Sequence, residues 1–287
     1  MSDQLRGVIA SVTRAASDSA AITKLLKRVE TLDRSRAQNT AELGRIVRDL
    51  EQRINKAALP AAVEEQIRIW CSSFREEIQR AHVQTRQRFG VELEELLADR
   101  GWKLHGHMPD LKVAFYTVEV DDVKGEVQIW FGPKQERLAT ARLSPKEAAK
   151  RLGQIHKDIA ERPLDEAHFI MQLHSAYEMV LTRRNLREGD RAPIIEVLAP
   201  LALLLQDRKF QADPRREYFR GYSRAQFAYD LHRLKQKRLF DKELALGTAT
   251  RAFTGNRRDF IWVPSDQSGN GTVYSHVFFK PAGAKEG

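Results

Sequence analysis

Fourteen Lys and Arg fall between Arg208 and Arg258, against five Asp and Glu. The whole chain of 287 residues carries 48 basic and 39 acidic side chains, so this one segment holds the entire surplus of nine. Cations gathered on a short stretch create a local field that a polyanion feels more than a diluted average. Their chemistry is phosphate neutralisation, in which each contact releases condensed counterions and adds affinity that falls with salt. Arg220, Arg233, Lys235, Lys237, Arg238, Arg257 and Arg258 are the candidates for such contacts. Arg224 and Gln226 are the only two side chains singled out for reading base edges, because planar donor groups can pair with them. Aromatic rings interleave the same stretch: Tyr218, Phe219, Tyr222, Phe227, Tyr229, Phe240 and Phe253. Phe227 and Phe240 read as core packing, whereas Tyr218 and Tyr222 flank Arg220 in a loop and are the better places for a base to stack.

Other reactive residue types lack partners in the sequence. His105-Gly106-His107 offers two imidazoles but no nearby Cys or carboxylate pair to complete a metal site, and reads as a surface turn. His168 and His174 are six apart and do not share a helix face. Cys71 is the sole cysteine, sits beside Trp70, and reads as core. One thiol forms no internal disulfide, which points to a reducing, cytoplasmic setting. The first residues lack the apolar run of a secretory signal, and the longest apolar run, Ala192 to Leu205, is broken by Glu196 and too short to span a bilayer. There is no Walker-type glycine loop, dinucleotide fingerprint or GxSxG elbow, which argues against an ATPase, a dehydrogenase or a serine hydrolase. The expectation is a chain without cofactor, metal or catalytic residues.

The elements that must position the basic segment are predicted as follows. Residues 1–100 read as a helical arm. Ile22, Leu25, Val29, Leu32, Leu43, Ile46 and Leu50 share one a/d register, with Arg36 and Asn39 as polar members in its middle. The seam serves either a hairpin folded on itself or a coiled-coil arm for dimerisation or docking. The scarcity of apolar surface outside the seam favours the intermolecular arm. Pro60 closes the first helix, and a second runs through Trp70, Phe74 and Ile78. Residues 101–192 read as antiparallel strands followed by two helices. Lys112–Val120 and Glu126–Phe131 flank a hairpin loop, and Arg137–Leu143 makes a third strand. Ser144-Pro145-Lys146-Glu147 is a strong helix start, and another helix begins near Asp165. Residues 193–281 open with an apolar helix from Pro193 to Gln206, followed by a polar stretch. A basic helix then runs from Tyr222-Ser223 through Arg238. Two strands come last, around Ser268-Gly269-Asn270-Gly271, where Asn-Gly is a hairpin signal. Residues 282–287 read as a frayed tail. The fold class is thus mainly α, α+β.

Buried helix, polar turn, basic helix and two-stranded hairpin, over roughly Pro193 to Pro281, resemble the winged-helix superfamily. The resemblance implies that the basic helix enters the major groove and that the hairpin wing touches backbone or minor groove. By position it would set Ser223, Arg224 and Gln226 at the groove-facing end. Arg233, Lys235, Lys237 and Arg238 would lie nearer phosphates, and Arg257 and Arg258 where the wing begins. This sequence departs from the pattern in one respect: some twenty residues separate helix from wing. Separately, Pro109-Asp110 with Asp122-Val123-Lys124 formally resembles the PD-(D/E)xK nucleases, in which two acids hold a divalent metal beside a lysine. Here the second half of that pattern falls in a predicted loop rather than on a strand.

The leading expectation is a non-catalytic protein that binds nucleic acid, duplex DNA above single strands or RNA, as a regulator or accessory subunit. The implied partners are nucleic acid and either a second copy or a coiled-coil protein, with no membrane. The alternative is a docking subunit for a coiled-coil ATPase, and a metal-dependent nuclease is the remote third.

Overall fold

The chain was analysed as a computed structural model that describes residues 2–57, 59–122, 124–250 and 255–283, the side chains of 2–9, 37–38 and 85–86 excepted. Phe253, Val123 and most of the terminal tail lie outside the described residues. The architecture is mixed α and β. Helices α1 (Ser2–Asp33), α2 (Arg36–Ile54) and α3 (Ala61–Ala98) come first. An antiparallel sheet in the order β1-β2-β3-β4-β5 follows, built from Leu104–His107, Asp110–Val113, Tyr116–Asp121, Glu126–Phe131 and Glu136–Arg142. Then come α4 (Pro145–Ile159), α5 (Glu166–Arg184), β6 (Ala192–Pro193), α6 (Ile194–Leu204), the short α7 (Arg208–Ala212) and α8 (Arg224–Arg233). Strands β7 (Arg238–Leu239), β8 (Lys242–Thr248), β9 (Ile261–Pro264) and β10 (Gly271–Pro281) complete the chain.

Two compact units interleave, one made of Met1–Leu104, Glu119–Gln128 and Thr140–Ala149, the other of His105–Val118, Ile129–Ala139 and Lys150–Gly287. The first unit claims the β3–β4 turn for a local reason. Arg45 of α2 donates to the Lys124 carbonyl at 3.1 Å, and His82 of α3 meets Asp122 at 3.1 Å.

In that unit the a/d register is real, but it does not run along one helix. α1 ends at Asp33 and α2 starts at Arg36, so the two halves of the stripe fold back together. Ile22 and Val29 share one buried cluster with Leu43, Ile46, Val47, Leu50 and Ile54, and α3 adds Cys71, Phe74 and Ile78. A helix end leaves carbonyls without partners. Asn39 meets that need by donating from Nδ2 to the Leu32 carbonyl at 2.9 Å. Arg36 binds Asp33 at 2.5 Å and Glu77 of α3 at 2.6 Å, with its guanidinium 5.2 Å from the Phe74 ring centre. The two polar residues therefore fasten a hairpin, and the stripe is buried within the chain.

The second unit is built around α5. Its Asp165 cap accepts from the His168 amide at 3.0 Å, and Phe169, Ile170, Leu173, Tyr177 and Val180 are buried. α6 packs on α5 through Ile194, Val197 and Leu201. The sheet beside them runs β6-β10-β8-β7, with β9 also paired to β10. Trp262 of β9 lies flat against two glycines. A Cβ at Gly132 would come within 2.5 Å of its ring, and one at Gly271 within 2.4 Å, so only glycine fits at either position.

Three strand expectations change in detail. The Lys112–Val120 run splits at Ala114, whose φ of 47° turns the chain between β2 and β3. The twenty residues between basic helix and wing contain β8, which pairs with β10 through Leu246↔Val277 and Leu244↔Phe279. Asn270-Gly271 is not a two-residue turn. Asp266 accepts from the Ser268 and Asn270 amides at 2.7 and 3.2 Å and shapes a longer loop, whose positive φ falls on Gly269.

Candidate nucleic-acid interface

Helix α8 starts as the sequence predicts. Ser223 caps it by accepting from the Gln226 amide at 3.2 Å, while the Gln226 side chain accepts from the Ser223 amide at 2.8 Å. It stops five residues short of Arg238, at Arg233. Leu234 turns into the core at 3% exposure, and the Glu166 carboxylate accepts from the amides of Lys235 and Gln236 at 2.8 and 3.2 Å. Those amides, supplied by Gln236 and Lys235, hold the Glu166 carboxyl below its usual range. The chain then runs extended into β7. Lys235, Lys237 and Arg238 therefore lie beyond the helix, not along it.

No residue of α8 is fully exposed. Its polar side chains are engaged within the unit, which is a correction to their groove-facing assignment. The Arg224 guanidinium pairs with Glu136 and donates to the carbonyls of Arg257 and Phe260 at 2.6 and 2.5 Å. Gln226 donates to the Asp158 carbonyl at 3.0 Å. Asp230, only 1% exposed, receives Arg162 at 2.6 Å, the Tyr222 hydroxyl at 2.7 Å and Arg233 at 2.9 Å. Arg233 also reaches the Arg162 carbonyl at 2.5 Å. The Tyr222 ring is half-buried with its hydroxyl donated to Asp230, and burial, then the neighbouring Asp230 charge, pushes the hydroxyl pKa far up. Ser223 is spent as the cap. A charged helix reads as a surface helix until its partners are known. Here they come from β5, α4 and α5, which local sequence does not reveal.

The remaining candidates are exposed: Arg220, Lys235, Lys237, Arg238, Arg257 and Arg258. Arg220 lies 3.2 Å from Asp207, while its backbone is held on both sides by the Gln206 amide group. Lys235, Lys237, Arg238 and Arg258 make no ion pair among the described residues. Arg224 donates to the Arg257 carbonyl and so ties the loop of Arg257 and Arg258 to the first turn of α8, and the Arg257 guanidinium lies 6.0 Å from the Trp130 ring centre. Lys235, Lys237 and Arg238 follow the other end of the helix, which with ten residues is about 15 Å long. Arg216 is a further exposed cation in the loop before Arg220. Tyr218 is 36% exposed and Phe219 43%.

Sequence reasoning misplaced one ring. Phe240, read as core, is 89% exposed with a φ of 55°. It is the first of two residues joining β7 to β8, since Leu239 pairs with Lys242 across the turn. Its signal is the short run Leu239-Phe240-Asp241-Lys242, a two-residue loop between strands too short to recognise beforehand.

The nuclease pattern is not assembled as chemistry requires. Asp110 pairs with Lys134 at 2.7 Å, and Lys124 with Asp121 at 2.7 Å. Asp110 belongs to the second unit and Asp122 with Lys124 to the first. Among the described residues no three His, Cys, Asp or Glu side chains are grouped as a metal site needs. Nor is any helix among them long and apolar enough to cross a membrane. Comparison with protein-family models, curated proteins and solved structures finds no match.

Proposed function

We propose that this chain binds nucleic acid without catalysing a reaction, gripping duplex DNA by its phosphate backbone as a regulator or accessory subunit of a DNA-acting assembly. The observation that carries the reading is the set of exposed cations, Lys235, Lys237, Arg238 and Arg258, none of which makes an ion pair among the described residues. Topology supports it. The buried helix α6, the charged helix α8 and the β9–β10 pair keep the order on which the winged-helix resemblance rests, with α7, β7 and β8 intervening. The engagement of α8 changes how such a domain would work. Its helix is locked in the unit, and the cations sit in the loops at its two ends. Exposed cations in such loops suit contacts to backbone phosphates. Such contacts position a protein without specifying sequence.

A salt-titrated binding assay on duplex DNA, single-stranded DNA and RNA tests this. Five or six phosphate contacts give a slope of log affinity against log salt of about −5 on duplex DNA. Reversing Lys235, Lys237 and Arg238 to Glu should flatten that slope by about three. Duplex binding that ignores salt overturns the proposal.

A second reading has its own observation. On helix α3 the exposed Ile69, Val83 and Val91 lean to one side, suited to a helical protein partner or a second copy, with Val63 and Leu96 elsewhere around the helix. Under it, the same charge reversals leave the assembly intact, and changes on α3 dissolve it.

A further inference from the structure

We infer that Phe240 is a base-stacking wedge: the tip of the β7–β8 hairpin presents its ring to the face of an unstacked nucleobase. This rests on the nucleic-acid reading above and names the part of the ligand that the hairpin tip would touch.

Among the described residues Phe240 is the most exposed large apolar side chain. An isolated exposed leucine or valine needs no explanation. A nearly bare phenylalanine held in a left-handed backbone conformation is different. Of the two turn residues, only Phe240 has positive φ, and turns of that kind ordinarily put glycine at this first central position. A bulky side chain with positive φ is a steric outlier. The position thus keeps an aromatic ring where both backbone sterics and solvation favour its loss.

Its surroundings say what the ring is for. Arg238 and Lys237 precede it, Lys235 lies on the same segment, and all three are exposed. Lys242, which follows, is held back by Glu188. Asp241 is exposed beside the ring, and Glu243 stands opposite Arg238 across the strand pair. Cations that hold a backbone, next to a ring that can accept a base, are the pairing used by single-strand binders. An apolar side chain pushed between base steps is likewise the device of proteins that kink a duplex. The shared chemistry is the π-face of a base, whether splayed from a single strand or exposed at a kinked step. A membrane is the weaker fit, because one ring with a few cations gives only marginal insertion.

The test uses the full-length protein with two probes carrying 2-aminopurine, a single-stranded oligonucleotide and a duplex, together with Phe240→Ala, Phe240→Trp and Lys237→Glu/Arg238→Glu variants. The expected result is a change in 2-aminopurine fluorescence with the natural protein. Phe240→Ala should bind about tenfold more weakly, with the salt slope unchanged, and Phe240→Trp should restore both signal and affinity. The charge variant should flatten the slope instead. Loss confined to the single strand assigns the ring to splayed bases, whereas loss on the duplex with its fluorescence change assigns it to a kinked step. If Phe240→Ala matches the natural protein on both probes while the natural protein binds, the wedge is overturned and the phosphate reading stands. If the natural protein binds neither probe, both fall. Binding to vesicles containing phosphatidylserine that Phe240→Ala abolishes, with nucleic-acid binding untouched, overturns the wedge in favour of a lipid surface.

Discussion

Replacing Asp230 by Ala should destabilise the second unit. The carboxylate is almost fully buried and receives three donors, from Arg162, Tyr222 and Arg233. Removing it leaves two guanidinium groups facing each other without a counter-charge. Breaking a buried ion pair from one side costs about 3–5 kcal/mol. Arg162 and Arg233 keep 24% and 20% of their side-chain surface in water, which relieves part of the penalty. The expected loss is therefore near the lower bound, about 3 kcal/mol. Asp230→Asn keeps the shape and some hydrogen bonding, so it should lose less. Replacing Asp230 and both arginines together by apolar residues of similar volume should recover most of the loss. Urea denaturation measures this, followed through Trp262, which is 4% exposed and belongs to the same unit. Two compact units can unfold in two steps, so only the transition sensed by Trp262 should move. A loss under about 1 kcal/mol for Asp230→Ala would show that the network is a set of surface-like contacts, and the account of why α8 is locked would fail with it.

Three further outcomes follow from the same coordinates. Phe240→Gly should raise the midpoint of chemical unfolding, by about 0.5–1 kcal/mol, because glycine accepts positive φ without strain; a destabilised variant in the same assay would contradict the turn geometry. Ser223→Ala removes the cap of α8 and should cost about 1 kcal/mol in that titration, and no change would mean the capping box contributes nothing. Burial, then the charges of Arg191 and Arg184, holds His276 below its ordinary value of 6.5. The folded chain therefore favours the neutral ring, and this contribution is present in full above that value and is lost as pH falls through the lowered one. The melting temperature should drop as pH falls below 6.5, and His276→Gln should make the drop smaller; an unchanged pH dependence in the variant would assign the effect elsewhere.

Much of the architecture was legible where signals are local. Ser144-Pro145 opens α4 and Asp165 caps α5 because capping chemistry is complete within four residues. β3 and β4 were readable from their β-branched and aromatic runs, and α6 from its apolar run. The break between α1 and α2 was not readable. Arg34-Ser35 contains neither Gly nor Pro, and an a/d register reads the same whether it binds another chain or its own second half. The fate of α8 was hidden for a different reason. Arg224, Gln226 and Arg233 look like surface residues, and what buries them is Glu136, the Asp158 carbonyl and the Arg162–Asp230 pair. Most of those partners lie some seventy or more positions earlier in the chain. Of the predicted interface, the loop cations kept their exposure because no such partner reaches them. Phe240 was misread since aromatic content beside Leu239 looks like core until the two-residue turn is seen.

The interleaving of the two units has a consequence for how the chain is made. The first unit takes in residues as late as Ala149, and the second takes in residues as early as His105. On a ribosome, the N-terminal helices emerge and wait for strand ends not yet translated. Pieces of the second unit meanwhile leave the exit tunnel before the first is finished. Truncation after Leu104, an obvious place to cut, would strip the helices of β-segments they fold with, and a cut after Ala149 would sever α4 and part residues 105–118 and 129–139 from their own unit.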